Sequence, residues 1–443
     1  MISIAPLAVV IIMFGGLVLL SMTGFPIAFL LTGIGIILTL LTYGIQGTII
    51  FVGRVFDQSS STVLVAIPLF VIMANFLDRS GIAEDLFNAI LHMLGKAKGG
   101  LAITIIILSV IFAASTGIIG AAVVGISLIS MPILMQRGYD KSLSTGLICA
   151  GGSLGILIPP SIMLVMMADQ SGQSVGGLFA GAFFPGLLLS ALYLGYVIYV
   201  AHRYPEKAPA LTEEELGKVT KAEKTKMFLK SFLPPMILIL GVLGSIWGGI
   251  ATPTEAAGLG CFIAFLMMVV YGRFNFKVLT NILIRSVQTT SMVMGTMFGA
   301  TIFTAAFLRL KGGDVVTQFI LSFSDYGRFA VFFVMMFIIF IMGFFIDWIG
   351  IIYITFPIFL PVASMLGFDP LWFVIMIAVN LQMSFSTPPF GYALFYMNAT
   401  KPEGVTLKHI YKGVIPFIGL QLLGLILITF VPSIVTWLPS VLH

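Results

Sequence analysis

The feature that most constrains this chain is a succession of apolar stretches, each about 20 residues long, that runs almost from end to end. Such a stretch is long enough to cross the hydrocarbon core of a bilayer as a helix. Hydrophobic residues make up 59% of the 443 residues and charged residues only 9%. A soluble domain carries about 25% charged residues. The sequence therefore predicts an all-α polytopic membrane protein.

The first half of the chain shows three kinds of apolar segment. Its long windows predict spans near 4–22, 26–44, 61–78 and 176–202. Residues 82–98 are amphipathic at helical spacing, which predicts a helix lying along the membrane interface. Two shorter segments, 101–114 and 121–136, flank a small polar stretch. They predict a re-entrant helical hairpin over 101–136.

Two polar breaks interrupt apolar stretches that would otherwise be continuous. Residues 151–161 predict a broken helix over 140–168, and residues 380–390 predict a second one over 370–397. Each break contains a double proline, which removes a backbone donor and clashes with the preceding turn. Irregular backbone at bilayer depth is tolerated only where it is buried in protein or lines a cavity. A matching pair of such breaks indicates the binding site of a secondary transporter.

The second half of the chain repeats the plan of the first. It predicts spans near 234–250, 254–272, 288–308 and 413–438, with a second hairpin over 329–365. Landmark residues recur at a constant offset of 229 positions, namely Pro132 and Pro361, Asp140 and Asp369, and Pro159 and Pro388. Several landmarks on one offset indicate an internal repeat.

This repeat divides the chain into five parts. Residues 1–100 are the predicted scaffold helices and interfacial helix of the first repeat, and residues 101–202 are its transport elements. A charged stretch, 203–232, is a predicted cytoplasmic connector. The second repeat supplies scaffold helices over 234–327 and transport elements over 328–443.

The distribution of basic residues predicts the orientation. Because hairpins begin and end on one side, each half crosses five times and the second half is inverted relative to the first. With the connector in the cytoplasm, the Lys and Arg residues that face outward are Arg54, Arg309, Lys311 and Arg328. The other basic residues then face the cytoplasm, as the positive-inside rule requires. Both termini are predicted outside, in the periplasm.

Small polar groups at the hairpin tips and breaks predict two sodium sites. Unwound backbone carbonyls, hydroxyls and a carboxylate are suitable Na⁺ ligands. The first set is Ser115, Thr116, Gly152, Ser153 and Gly155. The second set is Phe345, Asp347, Ser384, Ser386 and Thr387. An aspartate at bilayer depth is costly, so Asp347 is a functional candidate by default, although it could simply accept backbone hydrogen bonds at a helix start.

An anion site is predicted between the tips and the breaks. Its candidate residues are Gly117, Pro160, Ser161, Asn380, Pro388 and Pro389. We expect a half-helix to begin at each double proline, with Thr387 as a cap, so that its positive dipole end faces an anionic substrate. Helix packing by small residues explains most of the 47 glycines, but not glycine, serine and double proline clustered twice.

Other chemistries are disfavoured by the sequence. It contains no His-Glu-x-x-His, P-loop or Cys-x-x-Cys motif, so we expect no enzyme, no transition metal and no cofactor beyond a coupling ion. Cys149 and Cys261 each lie alone in apolar surroundings and are interpreted as core residues. The net charge of +5 does not indicate nucleic acid, because basic residues gather in cytoplasmic loops of membrane proteins.

At several motifs the chain resembles the large membrane subunit of the tripartite ATP-independent periplasmic (TRAP) transporters, in the ion transporter superfamily. The motifs are residues 249–257, Asn380-Leu381 followed by Thr387-Pro388-Pro389, Phe345-Ile346-Asp347 leading to Pro357 and Pro361, and Gly155 leading to Pro159-Pro160-Ser161. The first hairpin tip departs from the family pattern. It has Ile118 and Ile119 where the family often has small hydroxylated residues, which puts the hydroxyl ligands of the first sodium site in doubt.

The resemblance implies a sodium-coupled importer of an organic acid anion, such as sialic acid or a C4-dicarboxylate, in the bacterial inner membrane. It implies an elevator movement of the hairpins and broken helices against a scaffold made from spans near 4–78 and 234–308. It also implies two partners, a small membrane subunit (about four spans) and a periplasmic substrate-binding protein. A single-component sodium/dicarboxylate symporter of similar architecture and a channel remain as alternatives.

Overall fold

The chain is all-helical over the residues that a computed structural model describes, which are 4–117, 119–212, 220–389 and 391–442. The side chains of residues 113–116 and 221 also lie outside this description. Within the described ranges, seven helices are long and apolar enough to cross a membrane, or eight if one bent pair forms a single span. The prediction of a polytopic α-helical membrane protein is confirmed.

The first half contains the predicted hairpin and the first broken helix. Its described helices are α1 (Pro6–Ser21), α2 (Ile27–Tyr43), α3 (Ile49–Ser59), α4 (Ala66–Arg79), α5 (Ile82–Leu94), α6 (Gly100–Thr116), α7 (Ile119–Gln136), α8 (Lys141–Ser153), α9 (Ile162–Ser171) and α10 (Val175–Arg203). Helices α6 and α7 form the hairpin, and α8 and α9 form the broken helix. The amphipathic segment becomes α5, whose apolar face is buried.

The second half has the same order of elements. Its described helices are α11 (Lys221–Trp247), α12 (Pro253–Val270), α13 (Phe276–Arg309), α14 (Gly312–Leu321), α15 (Arg328–Met342), α16 (Trp348–Met365), α17 (Pro370–Phe385), α18 (Tyr392–Thr400), α19 (Leu407–Phe430) and α20 (Ser433–Leu442). Helices α15 and α16 form the second hairpin, and α17 and α18 form the second broken helix.

Several elements differ from the expected bounds. Helix α11 begins at Lys221, inside the predicted connector over 203–232, because Thr220 and Glu223 form a capping box there. Helix α3 was not predicted, and the segment Ile45–Ser59 is bent by 64° from the segment Val63–Arg79. The predicted last span over 413–438 is two helices, since α19 ends at Phe430 and α20 begins at Ser433.

The sequence repeat extends to the helix boundaries. Helix α7 covers Ile119–Gln136 and helix α16 covers Trp348–Met365, so both ends are 229 positions apart. The two breaks keep the same offset, with Pro159-Pro160 in one and Pro388-Pro389 in the other. The interpretation of these halves as an inverted pair stays a prediction.

The two halves are packed into each other around the hairpins. Helix α9 of the first broken helix packs against α16 of the second hairpin, and α18 of the second broken helix packs against α7 of the first hairpin. The Thr400 hydroxyl donates to Ser127 Oγ at 3.0 Å across the α18–α7 contact. This exchange gathers both hairpins and both breaks into one cluster.

Candidate functional site

The first break forms where the sequence predicts it. Helix α8 ends at Ser153, a single 3₁₀ turn covers Leu154–Ile156, and α9 begins only at Ile162. Residues 151–161 are fully buried, so this non-helical backbone lies inside protein. That is the environment in which irregular backbone at bilayer depth is stable.

The second break is shorter than predicted. Helix α17 continues through Phe385, so Asn380 and Ser384 are helical and the break begins at Ser386. These side chains find partners on the neighbouring hairpin arm: Asn380 Nδ2 donates to Met336 O at 2.7 Å, and Ser384 Oγ donates to Phe340 O at 2.8 Å. Both bonds join the same two helices, α17 and α15, one turn apart. They keep the polar stretch helical.

The double prolines do not begin the half-helices, contrary to expectation. Ser161, after the first pair, is the N-cap of α9 and accepts from Leu164 N at 3.5 Å. Gly391, after the second pair, precedes α18, and Thr387 instead donates to Met383 O at 2.8 Å. The peptide bond within each proline pair is cis.

The first hairpin tip abuts the first break. Gly117 is buried at φ +60°, a left-handed conformation that favours glycine, and a Cβ there would lie 3.2 Å from Ile162 N. A Cβ on Gly152 would lie 3.0 Å from the backbone of Val123 on α7. The side chains of Ser115 and Thr116 lie outside the described part, as does Ile118. The backbone nevertheless brings tip and break together.

The second hairpin tip carries the candidate carboxylate. Asp347 is the N-cap residue of α16, is partly buried, and makes no side-chain capping hydrogen bond. The rings of Tyr392 and Tyr396 lie near enough for their hydroxyls to interact electrostatically with it. Both tyrosines are on α18, after the second break. Sequence reasoning missed them, although their spacing of four residues on a short helix places them on one face.

Tyr396 links the two hairpins. Its ring packs so closely on Gly120, at the start of α7, that a Cβ there would lie 2.6 Å from it. The same side chain lies near enough to Asp347, at the start of α16, for a long-range electrostatic interaction. One residue therefore packs on the first hairpin and lies near the second.

A second polar cluster lies behind the breaks. Gln382 Nε2 donates to Ser153 Oγ at 3.2 Å, and Gln421 Nε2 approaches the same oxygen at 3.4 Å. Ser153 Oγ itself donates to Ala150 O at 2.8 Å. Ser153 and Gln382 are counterparts in the repeat, 229 positions apart. Sequence analysis placed Ser153 in a sodium site and did not select either glutamine.

The remaining predicted site residues lie along the breaks. Gly155 and Pro160 are buried in the first break, and Ser386 in the second donates to Gln382 O at 3.2 Å. Pro388 is partly buried, whereas Pro389 is exposed and its carbonyl accepts from Tyr411 at 2.9 Å. Phe345 packs its ring against Phe344 at the second tip. The assignment of these residues to sodium or substrate stays a prediction.

The fold is shared with a solved membrane protein. Both are polytopic and helical, and in this chain the hairpins and broken helices pack into one cluster. Among solved structures, the YdaH transporter of Alcanivorax borkumensis is similar with a TM-score of 0.61, covering 90% of this chain and 96% of that one at 15% identity.

Sequence comparison then gives the family. Residues 14–434 match the model of the DctM component of the tripartite ATP-independent periplasmic transporters, so the chain belongs to this family and the resemblance is confirmed. The C4-dicarboxylate TRAP transporter large permease protein DctM of Vibrio cholerae is 32% identical over 402 residues, covering 86% of each chain.

Two further relatives carry different names. The sialic acid TRAP transporter large permease protein SiaM of Vibrio cholerae is 28% identical. The alignment covers 96% of this chain and 97% of SiaM. The isethionate TRAP transporter permease protein DctMQ of Oleidesulfovibrio alaskensis is 30% identical and covers 96% of this chain and 65% of its own.

Proposed function

We propose that this protein is the large membrane subunit of a sodium-coupled importer that takes up an organic acid anion across the bacterial inner membrane. The names of its relatives support the substrate class, because C4-dicarboxylates, sialic acid and isethionate are all acid anions at neutral pH. Family membership supports the two partners, a small membrane subunit and a periplasmic substrate-binding protein. The sequence contains no ATP-binding motif, so the energy comes from an ion gradient or from another subunit, and the proposal takes the gradient.

The observation that carries the proposal is the packing of each broken helix on the hairpin of the other half, α9 on α16 and α18 on α7. Within it, the Tyr396 ring of α18 packs on Gly120 in the first turn of α7. An elevator transporter needs its substrate and ion sites enclosed by one body that moves as a unit. Side chains that join both hairpins hold such a body together. The scaffold against which it moves is provided by α1–α4 and α11–α13.

Sodium binds, in this proposal, where each tip meets its break. At the second tip, Ser384 is already bonded to Phe340 O. Thr387 likewise donates to Met383 O, and both hydroxyl oxygens keep lone pairs for a cation. The ligands there are Asp347, Ser384, Thr387 and backbone carbonyls of the break. At the first tip, Ser153 is occupied by two glutamine amides, so Gly152 and Gly155 contribute through their carbonyls. The anion binds between the two tips, and ion binding favours one position of the moving body only through differential affinity.

Reconstitution tests the proposal. The subunit is placed in vesicles with its small partner and binding protein, and uptake of succinate, N-acetylneuraminate and isethionate is measured with and without an inward sodium gradient. We expect one acid to accumulate only with the gradient and only with the binding protein. Uptake without the partners would favour the single-component symporter, and gradient-independent flux would favour a channel.

Asp347→Asn tests the site. It removes the carboxylate but keeps the side-chain volume, and we expect sodium-driven uptake to be lost. Asp85→Asn, at an exposed aspartate in the first turn of α5, is the matched control and should transport normally. Normal sodium dependence in Asp347→Asn would refute the second cation site.

A further inference from the structure

A cavity of about 510 Å³, with charged groups in its lining, lies apart from the hairpin tips. Its walls come from α3 and α13 of the predicted scaffold and from α9 and α16 of the predicted moving body. Its volume lies in the range of about 300–1,000 Å³ that is usual for small-molecule sites. The charge distribution predicts that it opens on the periplasmic side, where Arg54 and Arg309 lie.

Three side chains supply donors toward this cavity. Arg54 and Arg309 are exposed at its rim, and Tyr353 lines it from α16. The Tyr353 hydroxyl is buried, on a residue only 3% exposed; it lies near the Gln170 side chain but makes no well-aligned hydrogen bond within the described residues. A buried polar group that is poorly paired is costly, so this hydroxyl is a candidate donor to a bound acceptor.

The guanidinium groups remain available for a ligand. Arg309 Nη1 donates to Gly47 O at 3.3 Å and its guanidinium lies over the Tyr43 ring at 4.6 Å, which leaves further N–H donors. Asp57 also lies at the rim, one turn from Arg54, yet the two form no ion pair in the part of the chain that the structure describes.

The nearby carboxylate of Asp169 accepts from Ser61 Oγ at 2.5 Å, Gln58 Nε2 at 2.8 Å and Gln170 Nε2 at 2.9 Å. These neutral donors orient the Asp169 carboxylate behind the cavity wall without cancelling its charge. The cavity lining itself carries two guanidinium groups and one carboxylate, that of Asp57. Two guanidiniums and one phenol, all donors, match the acceptor oxygens of a carboxylate.

We propose that this cavity is a second anion site, which receives the carboxylate group of the substrate before the substrate reaches the hairpin tips. The position supports a route, since Tyr353 lies six residues after Asp347 on α16, about 9 Å along the helix. The inference rests on the proposed function. Its ligand class is the same organic acid anion, bound through its carboxylate by Arg54, Arg309 and Tyr353.

Cysteine labelling tests the site without any transport. Thr301→Cys places a thiol in the cavity wall, in a Cys261→Ala background, because Cys149 is buried. The reaction rates of a negatively charged (sulfonate) and a positively charged (ammonium) methanethiosulfonate reagent are compared. We expect Arg54→Gln to lower the anion-to-cation rate ratio about threefold to tenfold, since one rim charge acts oppositely on the two reagents.

Two controls make the labelling result specific. Arg54→Lys keeps the charge and should restore the ratio. Lys311→Gln removes a charge from the same predicted face but outside the cavity lining, and should leave the ratio unchanged. A ratio that does not respond to Arg54→Gln, or responds equally to Lys311→Gln, would overturn the proposal.

Uptake gives the second readout, with whichever of succinate, N-acetylneuraminate or isethionate the wild type accumulates. We expect Arg54→Gln and Tyr353→Phe to raise KM about threefold to tenfold while the maximal rate is retained. Wild-type uptake with unchanged KM in both variants would overturn the second site and leave the transporter function intact. If the wild type accumulates none of the acids, the proposed function fails and the labelling ratio alone decides on the site.

Discussion

Gly343, at the end of α15, permits the closest contact between the second hairpin and the second broken helix. A methyl group there would overlap Ser384 Oγ and lie 2.7 Å from Ser384 Cβ. The backbone at Gly343 is right-handed helical, with φ −66°, so alanine is conformationally acceptable and the cost is steric. Gly343→Ala should therefore separate α15 from α17.

The cost has two parts. Overpacking costs about 1–3 kcal/mol, and loss of the bond from Ser384 Oγ to Phe340 O costs about 0.5–1.5 kcal/mol, which together give about 2–4 kcal/mol. Ser384→Ala in the same chain removes the overlapping hydroxyl but leaves the Cβ contact. Ser384→Gly removes both. Rescue should therefore be partial with alanine and greater with glycine.

Thermal unfolding in one detergent measures this order. We expect the midpoint to be lowest for Gly343→Ala, higher for Gly343→Ala with Ser384→Ala, and highest among the three for Gly343→Ala with Ser384→Gly. Gly241→Ala is the matched control, because a methyl group at that helical glycine has no atom within 4 Å. An unchanged midpoint in Gly343→Ala, or no rescue by Ser384→Gly, would refute the steric argument.

Three other predictions concern the polar groups. Ser153→Ala leaves the amides of Gln382 and Gln421 without their acceptor. We expect the free energy of unfolding to fall by about 1–3 kcal/mol, measured as a lower thermal midpoint. An unchanged midpoint would show that these amides have other partners. His92 lies on the interfacial helix, where burial, and then Lys224, lowers its pKa. Because the folded state favours the neutral imidazole ring, the free energy of unfolding should decrease as pH falls below about 6.5. His92→Gln should reduce this decrease, measured as thermal midpoints between about pH 7.5 and 5.5. Tyr396→Phe keeps the ring packing but removes the hydroxyl near the second tip. It should raise the sodium concentration that gives half-maximal uptake and leave the thermal midpoint unchanged. The same sodium dependence in Tyr396→Phe and the wild type would count against the site.

The helices could be predicted from the sequence because hydropathy and repeat act over long stretches. The offset of 229 positions fixed both hairpins and both broken helices, and α7 and α16 agree with it at each end. The prediction of helix boundaries was less accurate where a short capping motif begins a helix inside a polar stretch. Thr220 and Glu223 begin α11 inside a charged stretch that composition assigns to a connector.

The site was less predictable because its contacts are between distant residues. Nothing local at Tyr396 shows that it contacts Gly120, or at Gln382 that it bonds to Ser153. The polar residues Asn380 and Ser384 resemble a break in the sequence but are helical, because Met336 O and Phe340 O on another helix accept their hydrogen bonds. Only the fold supplies those acceptors.

The bond between Ser153 and Gln382 has a consequence for the two halves of the chain. In the predicted inverted pair, counterpart positions that touch lie beside the axis relating the two halves. With two identical halves, the same side chain would face its own copy there. A serine opposite a glutamine is thus a complementary pair that only halves of different sequence can form.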